Sequence, residues 1–302
     1  MLDFHPLTLE NLPKLRAYYD DNPSRICDTT PASTFIWRDI YDVQYAIYAD
    51  TLYFKVTYPG LGETFTLPLG GHRWDHYCRI ADYCCRRNMP LSFYPVPTDE
   101  LPELQEFFPN SAAICDRDTF DYLYNAEDLK FFKGKKFSGQ RNHVNKFLKT
   151  YDDWSFRPIE LDDIPAIHAF LDRYVSKVDK ASETFKEDIA KTREILDNYQ
   201  LYDLLGGVLF ANGEIVGFAL GEILGDTLFT HIEKADREFL GGYQMLVSQY
   251  AQYFAGEGVS FINREDDTGD PGLRKSKLSY QPVALLEKYT VTVVEPCSAC
   301  HN

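Results

Sequence analysis

The chain repeats itself, and that repeat narrows the possible folds more than any other feature of the sequence. The seventeen residues FHPLTLENLPKLRAYYD, beginning at Phe4, lie without a gap against FRPIELDDIPAIHAFLD, beginning at Phe156. Phe4/Phe156, Pro6/Pro158, Leu9/Leu161, Pro13/Pro165, Ala17/Ala169 and Asp20/Asp172 are identical, and Leu7/Ile159, Leu12/Ile164, Leu15/Ile167 and Tyr18/Phe170 keep their apolar character. Both copies read as a short strand, a turn and an amphipathic helix of 3.6-residue period. Further along, Ile47 to Asp50 mirrors Leu209 to Asn212, Phe65-Thr66 mirrors Phe229-Thr230, and Ser92-Phe93 mirrors Ser260-Phe261. The order is preserved throughout, as small loop insertions in the second copy would leave it.

Each copy therefore predicts a strand, helices, three strands, a helix and a strand. That pattern is an α+β arrangement with a mixed sheet rather than a strict βαβ alternation. The long helices fall at Asp75 to Asn88 and Gly242 to Gly256. The spacing predicts two domains, 1–150 and 151–302, the first ending in a basic stretch over 129–151. With 302 residues and 44% hydrophobic content, the chain can bury such cores without staples.

A formal charge of −15 excludes a protein that coats nucleic acid with its whole surface, so a polyanion must meet a local patch. Charges at Asp3, Glu10, Lys14 and Arg16 interrupt any secretory leader, and no apolar run approaches the roughly 20 residues that span a bilayer. The expectation is a cytoplasmic protein with no transmembrane segment. Cys27, Cys78, Cys84, Cys85 and Cys115 read as reduced core residues. Cys297, Cys300 and His301 in the tail fit the c-type haem attachment pattern and half a zinc site, but they read as an incidental tail and no metal is assigned.

Two segments concentrate chemistry. Leu129 to Tyr151 carries Lys130, Lys133, Lys135, Lys136, Arg141, Lys146 and Lys149 with no acidic residue, interleaved with Phe131, Phe132, Phe137 and Phe147. It reads either as a solvated helix face or as a docking site for tRNA or the pyrophosphate of coenzyme A, with a helix N-terminus near Ser138 to Asn142 adding backbone donors. In the second segment, Phe261 to Pro282, strand alternation puts Phe261, Asn263 and Glu265 on one face. Asp266 and Asp267 then enter a loop closed by Gly269, Asp270, Pro271 and Gly272. Crowded carboxylates raise one another's pKa, so Glu265 or Asp266 could deprotonate an ammonium nucleophile. Arg274, Lys275 and Lys277, with Tyr280 beyond them, could hold a phosphate or an oxyanion. The plain alternative is a helix cap followed by surface charges.

On the preceding strand His231 and Glu233 share a face and form a second candidate base and orienter, although a strand histidine is more often simply packed. Gly241 and Gly242 then open the long helix as a possible anion cradle.

The basic KKFSGQRNHVNKF stretch, the NREDDTGDPGLRKSKLSYQP segment and the duplicated unit together resemble the phosphatidylglycerol lysyltransferase C-terminal domain family, over the whole chain. The resemblance implies a tandem duplicated GNAT (acyl-CoA N-acyltransferase-like) fold, related to the Fem-type aminoacyltransferases that move amino acids from tRNA onto amine or hydroxyl acceptors. It implies no required cofactor. Aminoacyl-tRNA or acyl-CoA would be the co-substrate, and a small-molecule, peptide or lipid the acceptor. The membrane-spanning half of lipid lysyltransferases is absent from this sequence. Leu240 also stands where the coenzyme A signature counted from Arg237 needs its first glycine, which puts aminoacyl-tRNA ahead of acyl-CoA. The candidate catalytic residues are Glu265, Asp266, His231, Glu233 and Asn263. The candidate donor-binding residues are Lys135, Lys136, Arg141, Asn142, Gly241, Gly242, Arg274, Lys275, Lys277 and Tyr280. A catalytically silent binding module is the reading of a different class. The first copy has Tyr94 to Pro97 where the second has Ile262 to Glu265, and reads as the structural or acceptor-facing half.

Overall fold

Both copies of the repeated segment build the same local structure. A computed structural model describes residues 2–21, 23–71, 73–177 and 182–294. The strand His5–Pro6 (β1) leads into the turn Leu9–Asn11 and the helix Leu12–Leu15. The strand Ser155–Pro158 (β8) leads into the turn Leu161–Asp163 and the helix Ile164–Ser176. Asn11 Oδ1 accepts the Thr8 N–H at 2.9 Å, and Asp163 Oδ2 accepts the Glu160 N–H at 2.8 Å. Each pair satisfies a backbone donor that a helix start leaves orphaned. Pro13 and Pro165 sit in the first helical turn, where a missing N–H costs nothing.

The remaining strands are Gln44–Tyr48 (β2), Thr51–Tyr58 (β3), Gly62–Phe65 (β4), Leu91–Pro97 (β5), Ser111–Cys115 (β6), Asp121–Asn125 (β7), Leu205–Ala211 (β9), Glu214–Leu224 (β10), Thr227–Ala235 (β11), Phe261–Asn263 (β12), Ala284–Leu286 (β13) and Lys288–Val293 (β14). They form two seven-stranded mixed sheets, β1-β2-β3-β4-β5-β14-β6 and β8-β9-β10-β11-β12-β7-β13. The orders correspond position by position. In each sheet the fourth and fifth strands are parallel, and the other pairs among the first six strands are antiparallel. Both second-to-third strand hairpins close through two residues of positive φ, Ala49-Asp50 and Asn212-Gly213, the geometry that twisted strands require of a two-residue turn.

The chain divides into two compact units. One comprises residues up to Asp121 with Asp266–Asp270 and the chain from Leu285. The other comprises Tyr122–Glu265 and Pro271–Ala284. This division differs from the boundary expected near residue 150. The reason is strand pairing: β7 hydrogen-bonds to β12 and so belongs to the second sheet, and β14 lies between β5 and β6 in the first. A linear boundary cannot express that exchange.

In the first unit, Phe65, Tyr77, Phe93, Phe107 and Val291 form a buried core between the sheet and the helix Arg73–Arg87. In the second, Phe218, Leu228, Phe229, Met245, Leu246 and Ile262 are buried where the helix Gly242–Phe254 crosses β10 and β11. No helix among the described residues is long and apolar enough to cross a membrane. Cys27, Cys78, Cys84 and Cys115 are free thiols, whereas Cys85 is disulfide-bonded, which corrects its reading as reduced. Cys115 is exposed rather than core. The tail residues Cys297, Cys300 and His301 lie outside the described residues.

Candidate functional site

In the second unit the parallel pair β11 and β12 stays in register for only three positions, Thr227↔Phe261 to Phe229↔Asn263. There β12 ends, and β11 runs on to Ala235. A bulge marks the same level. Leu220 of β10 faces Ile232 and Gly221 faces Thr230, so His231 is the extra residue with no opposite. Bulges re-aim side chains in this way. Only glycine fits at 221, because a Cβ there would stand 1.9 Å from the Phe229 carbonyl oxygen.

His231 is thereby held between two carboxylates. Its Nε2 lies 3.1 Å from Glu222 Oε1 and its Nδ1 lies 2.9 Å from Glu265 Oε1. The ring and Glu222 are buried, and Glu265 is 25% exposed, so the row runs from the interior to solvent. Burial opposes charging the imidazole, but the hydrogen bonds and charges of Glu222 and Glu265 outweigh it and raise its pKa to about 9. At neutral pH the ring is an imidazolium hydrogen-bonded on both sides. Glu265 adopts a positive φ of 57°, and the buried Asn263 fixes that bend by accepting the Glu265 N–H at 2.6 Å.

Glu233 does not stand behind His231 as expected. Its Oε1 pairs with Arg264 Nη2 at 2.7 Å. Because β12 stops at Asn263, the alternation that would have turned Arg264 away from Glu265's side ends there. The guanidinium instead lies over the Tyr280 ring at 4.4 Å and near that of Tyr124 at 5.6 Å. Burial disfavours its charge, and Glu233 more than restores it, which raises the pKa. Burial likewise pushes the Tyr280 hydroxyl up to about 12 against the pull of Arg264.

Several expected donor-binding residues hold the fold together. Lys277 is buried and donates to the Arg264 carbonyl at 2.6 Å, which satisfies a backbone acceptor rather than presenting a surface charge. Arg141 donates through Nη1 to the carbonyls of Phe132 and Gly134, closing the end of the helix Ala126–Phe131. Lys136 pairs with Asp128 at 2.9 Å. Gly241 and Gly242 form a packed turn, not an open cradle. A Cβ on Gly241, at φ 82°, would stand 2.1 Å from the His143 carbonyl oxygen, and the Leu240 N–H donates to the Tyr151 hydroxyl at 3.2 Å. Lys135, Asn142 and Lys275 are exposed and Arg274 is half-buried, with Asn142 on the helix Ser138–Thr150 and Arg274 and Lys275 on the helix Pro271–Ser279.

Asp266 belongs to the first unit and to a different cluster. There Lys288 Nζ is buried, 2.8 Å from Asp121, 3.4 Å from Asp266 and in close contact with Asp28. Cys27 donates its N–H to Asp121 at 2.6 Å and its thiol to the same carboxylate at 3.1 Å. Burial works against the ammonium, but Asp121, Asp28, Cys27 and Asp266 hold its pKa well above the ordinary lysine range. Cys27, Asp28 and Asp121 offer a cation ligand atoms within 4.8 Å of one another, and the chain's own ammonium sits on them.

Glu222 and Arg264 are not among the residues that stand out in the sequence. A lone carboxylate ending the buried run Ile215 to Glu222 was the available signal for the first. The second was hidden by treating residues 261–265 as one continuous strand.

Two seven-stranded mixed sheets with matching strand orders define a duplicated α+β transferase fold, the tandem GNAT-like architecture. FemX shares this fold, with a TM-score of 0.52, 10% identity and coverage of 97% of this chain and 98% of that one. The chain belongs to the phosphatidylglycerol lysyltransferase C-terminal family, whose model matches residues 21–292. A conserved protein of unknown function from Bacteroides thetaiotaomicron is 33% identical, with a TM-score of 0.88, over 97% of this chain and 100% of that one. The C-terminal domain of a putative lysylphosphatidylglycerol synthetase from Agrobacterium fabrum matches with a TM-score of 0.65 and 12% identity, over 96% of this chain and 93% of that one. An uncharacterised protein of Mycoplasmoides gallisepticum is 26% identical over 182 residues. That match covers 60% of this chain and only 58% of the relative.

Proposed function

We propose that the second unit transfers an aminoacyl group from aminoacyl-tRNA to an amine or hydroxyl acceptor, with Glu265 as the base. The observation that carries this reading is the Glu222–His231–Glu265 row, which joins a buried histidine to a carboxylate one-quarter exposed, at 25%, beyond the end of β12. An ammonium or hydroxyl nucleophile must lose a proton to attack an ester carbonyl, and if Glu265 takes it the buried imidazolium keeps Glu222 as its hydrogen-bond partner. Family membership supports the reaction class. The packed turn at Gly241 disfavours a coenzyme A ester, because that turn's Leu240 N–H is already engaged by Tyr151. Lys135 and the half-buried Arg274 are the donor-phosphate candidates, together with the exposed basic side chains of Lys146, Lys149 and Lys275. The acceptor is an amine or hydroxyl compound, with no resident cofactor in the scheme.

The test is consumption of labelled aminoacyl-tRNA under single-turnover conditions, with acyl-CoA in parallel and an acceptor panel of amines, polyols and phosphatidylglycerol vesicles. Acceptor-dependent loss of the aminoacyl ester, slowed by Arg274→Ala without loss of fold, supports the assignment. Consumption of acyl-CoA alone would make the chain an ordinary N-acyltransferase. Binding without consumption of either donor would make it a silent module.

A further inference from the structure

Arg264 is held through its backbone, its ring contacts and one nitrogen of its guanidinium fork. Its backbone N–H donates to the Tyr122 carbonyl at 3.1 Å, and its own carbonyl accepts Lys277 Nζ at 2.6 Å. Its guanidinium face rests on Tyr280, and Nη2 is taken by Glu233. Nη1 is buried with no hydrogen-bond partner among the described residues. A buried donor left without an acceptor costs about 1–3 kcal/mol, more on a charged group, so such vacancies are rare and call for an occupant. This one belongs to the residue immediately before the proposed base. Glu233 balances the guanidinium charge but leaves its second fork nitrogen to donate.

We infer that Arg264 Nη1 is the oxyanion donor of the second unit: it receives the carbonyl oxygen of the acyl group under attack. This rests on the acyl-transfer reading and deepens it. The acceptor's nitrogen or oxygen attacks the ester carbon and gives its proton to Glu265, while the carbonyl π pair moves onto the oxygen facing Nη1. The intermediate collapses when that pair returns to re-form the carbonyl. The bond to the ribose oxygen breaks, and the leaving oxygen takes the proton back from Glu265. No oxidant, reductant or further reactant is needed. A donor preorganised by two rings and an ion pair does not have to reorient as the charge develops, and such donors are typically worth about 10²–10³-fold in turnover.

Arg264→Lys keeps a cation for Glu233 and loses the fork. The double change Arg264→Gln with Glu233→Gln removes both charges together, so that no buried carboxylate is stranded if the lysine variant folds poorly. The probes are the phosphonate analogues of alanine and lysine, which are tetrahedral and anionic at the acyl centre, and the corresponding amino-acid amides, which mimic the ground state. Calorimetric titration should show phosphonate binding weakened about 10²-fold in either variant and amide binding changed less than about threefold. Where turnover is measurable, kcat should fall with little change in KM. Phosphonate affinity equal in wild type and variant, or phosphonate and amide affinities lost in equal measure by a folded variant, would overturn the assignment. If the phosphonates discriminate as expected but the wild type consumes no aminoacyl-tRNA, the donor reading fails and the Arg264 assignment stands.

Discussion

The two units each bury a cluster of charges, and the clusters are finished to different degrees. In the first unit the buried ammonium of Lys288 is paired with three carboxylates, Asp28, Asp121 and Asp266. In the second, His231 is equally enclosed and its row likewise ends in a part-exposed carboxylate, but the neighbouring Arg264 keeps a buried donor with no partner among the described residues. A buried ion set that satisfies itself does structural work, whereas one left incomplete is shaped for something that arrives. Charge along the sequence does not tell which acidic residues are already engaged. The acidic loop after Glu265 carries more charge, yet the structure spends Asp266 on Lys288 and the buried Asp267 on Arg117 at 3.4 Å.

The largest expected effect separates the clusters by stability. Lys288→Met strands the fully buried Asp121 and should cost about 3–5 kcal/mol in urea denaturation. A cost under about 1 kcal/mol would mean that the first cluster is not holding its unit together. Next is pH. The folded pKa of His231, about 9, is raised above its unfolded value near 6.5. The stability this contributes is therefore fully present below about pH 6.5 and is lost as pH rises through 9, on the order of 3 kcal/mol in all. His231→Gln should flatten that slope, and an unchanged slope would place the titration elsewhere. Smaller again, Gly241→Ala meets both a positive φ and the His143 carbonyl and should cost about 2 kcal/mol. A neutral outcome would reopen the turn as a ligand cradle. Smallest for stability, neutralising Lys135, Lys146 and Lys149 should change unfolding by less than about 0.5 kcal/mol and yet weaken tRNA binding and flatten its salt dependence. Unaltered tRNA affinity would mean that the donor docks elsewhere.

The duplication, the α+β class and the family were legible because they rest on periodicity and colinear identities, which local sequence carries. The strand exchange was not, since which sheet β7 and β14 join is decided by long-range pairing. His231, Asn263 and Glu265 were found as candidates because carboxylates and a histidine stand out on strands. Their partners were misjudged. The early end of β12 turned Arg264 inward beside Glu233, and the bulge at His231 gave that ring to Glu222. The two charged segments illustrate the same limit: sequence supplied the charges, and only packing showed that Arg141 in the first and Lys277 in the second are committed to carbonyls.

Glu265 and Asp28 are matched members of the two clusters, 25% and 24% exposed, each a carboxylate against a buried cation. The most direct measurement is the single-turnover rate of aminoacyl-tRNA consumption by Glu265→Gln and Asp28→Asn side by side, with folding checked by thermal unfolding. The account predicts a loss of about 10²–10⁴-fold for Glu265→Gln and a rate within about twofold of wild type for Asp28→Asn. Equal losses, or a loss confined to Asp28→Asn, would contradict it.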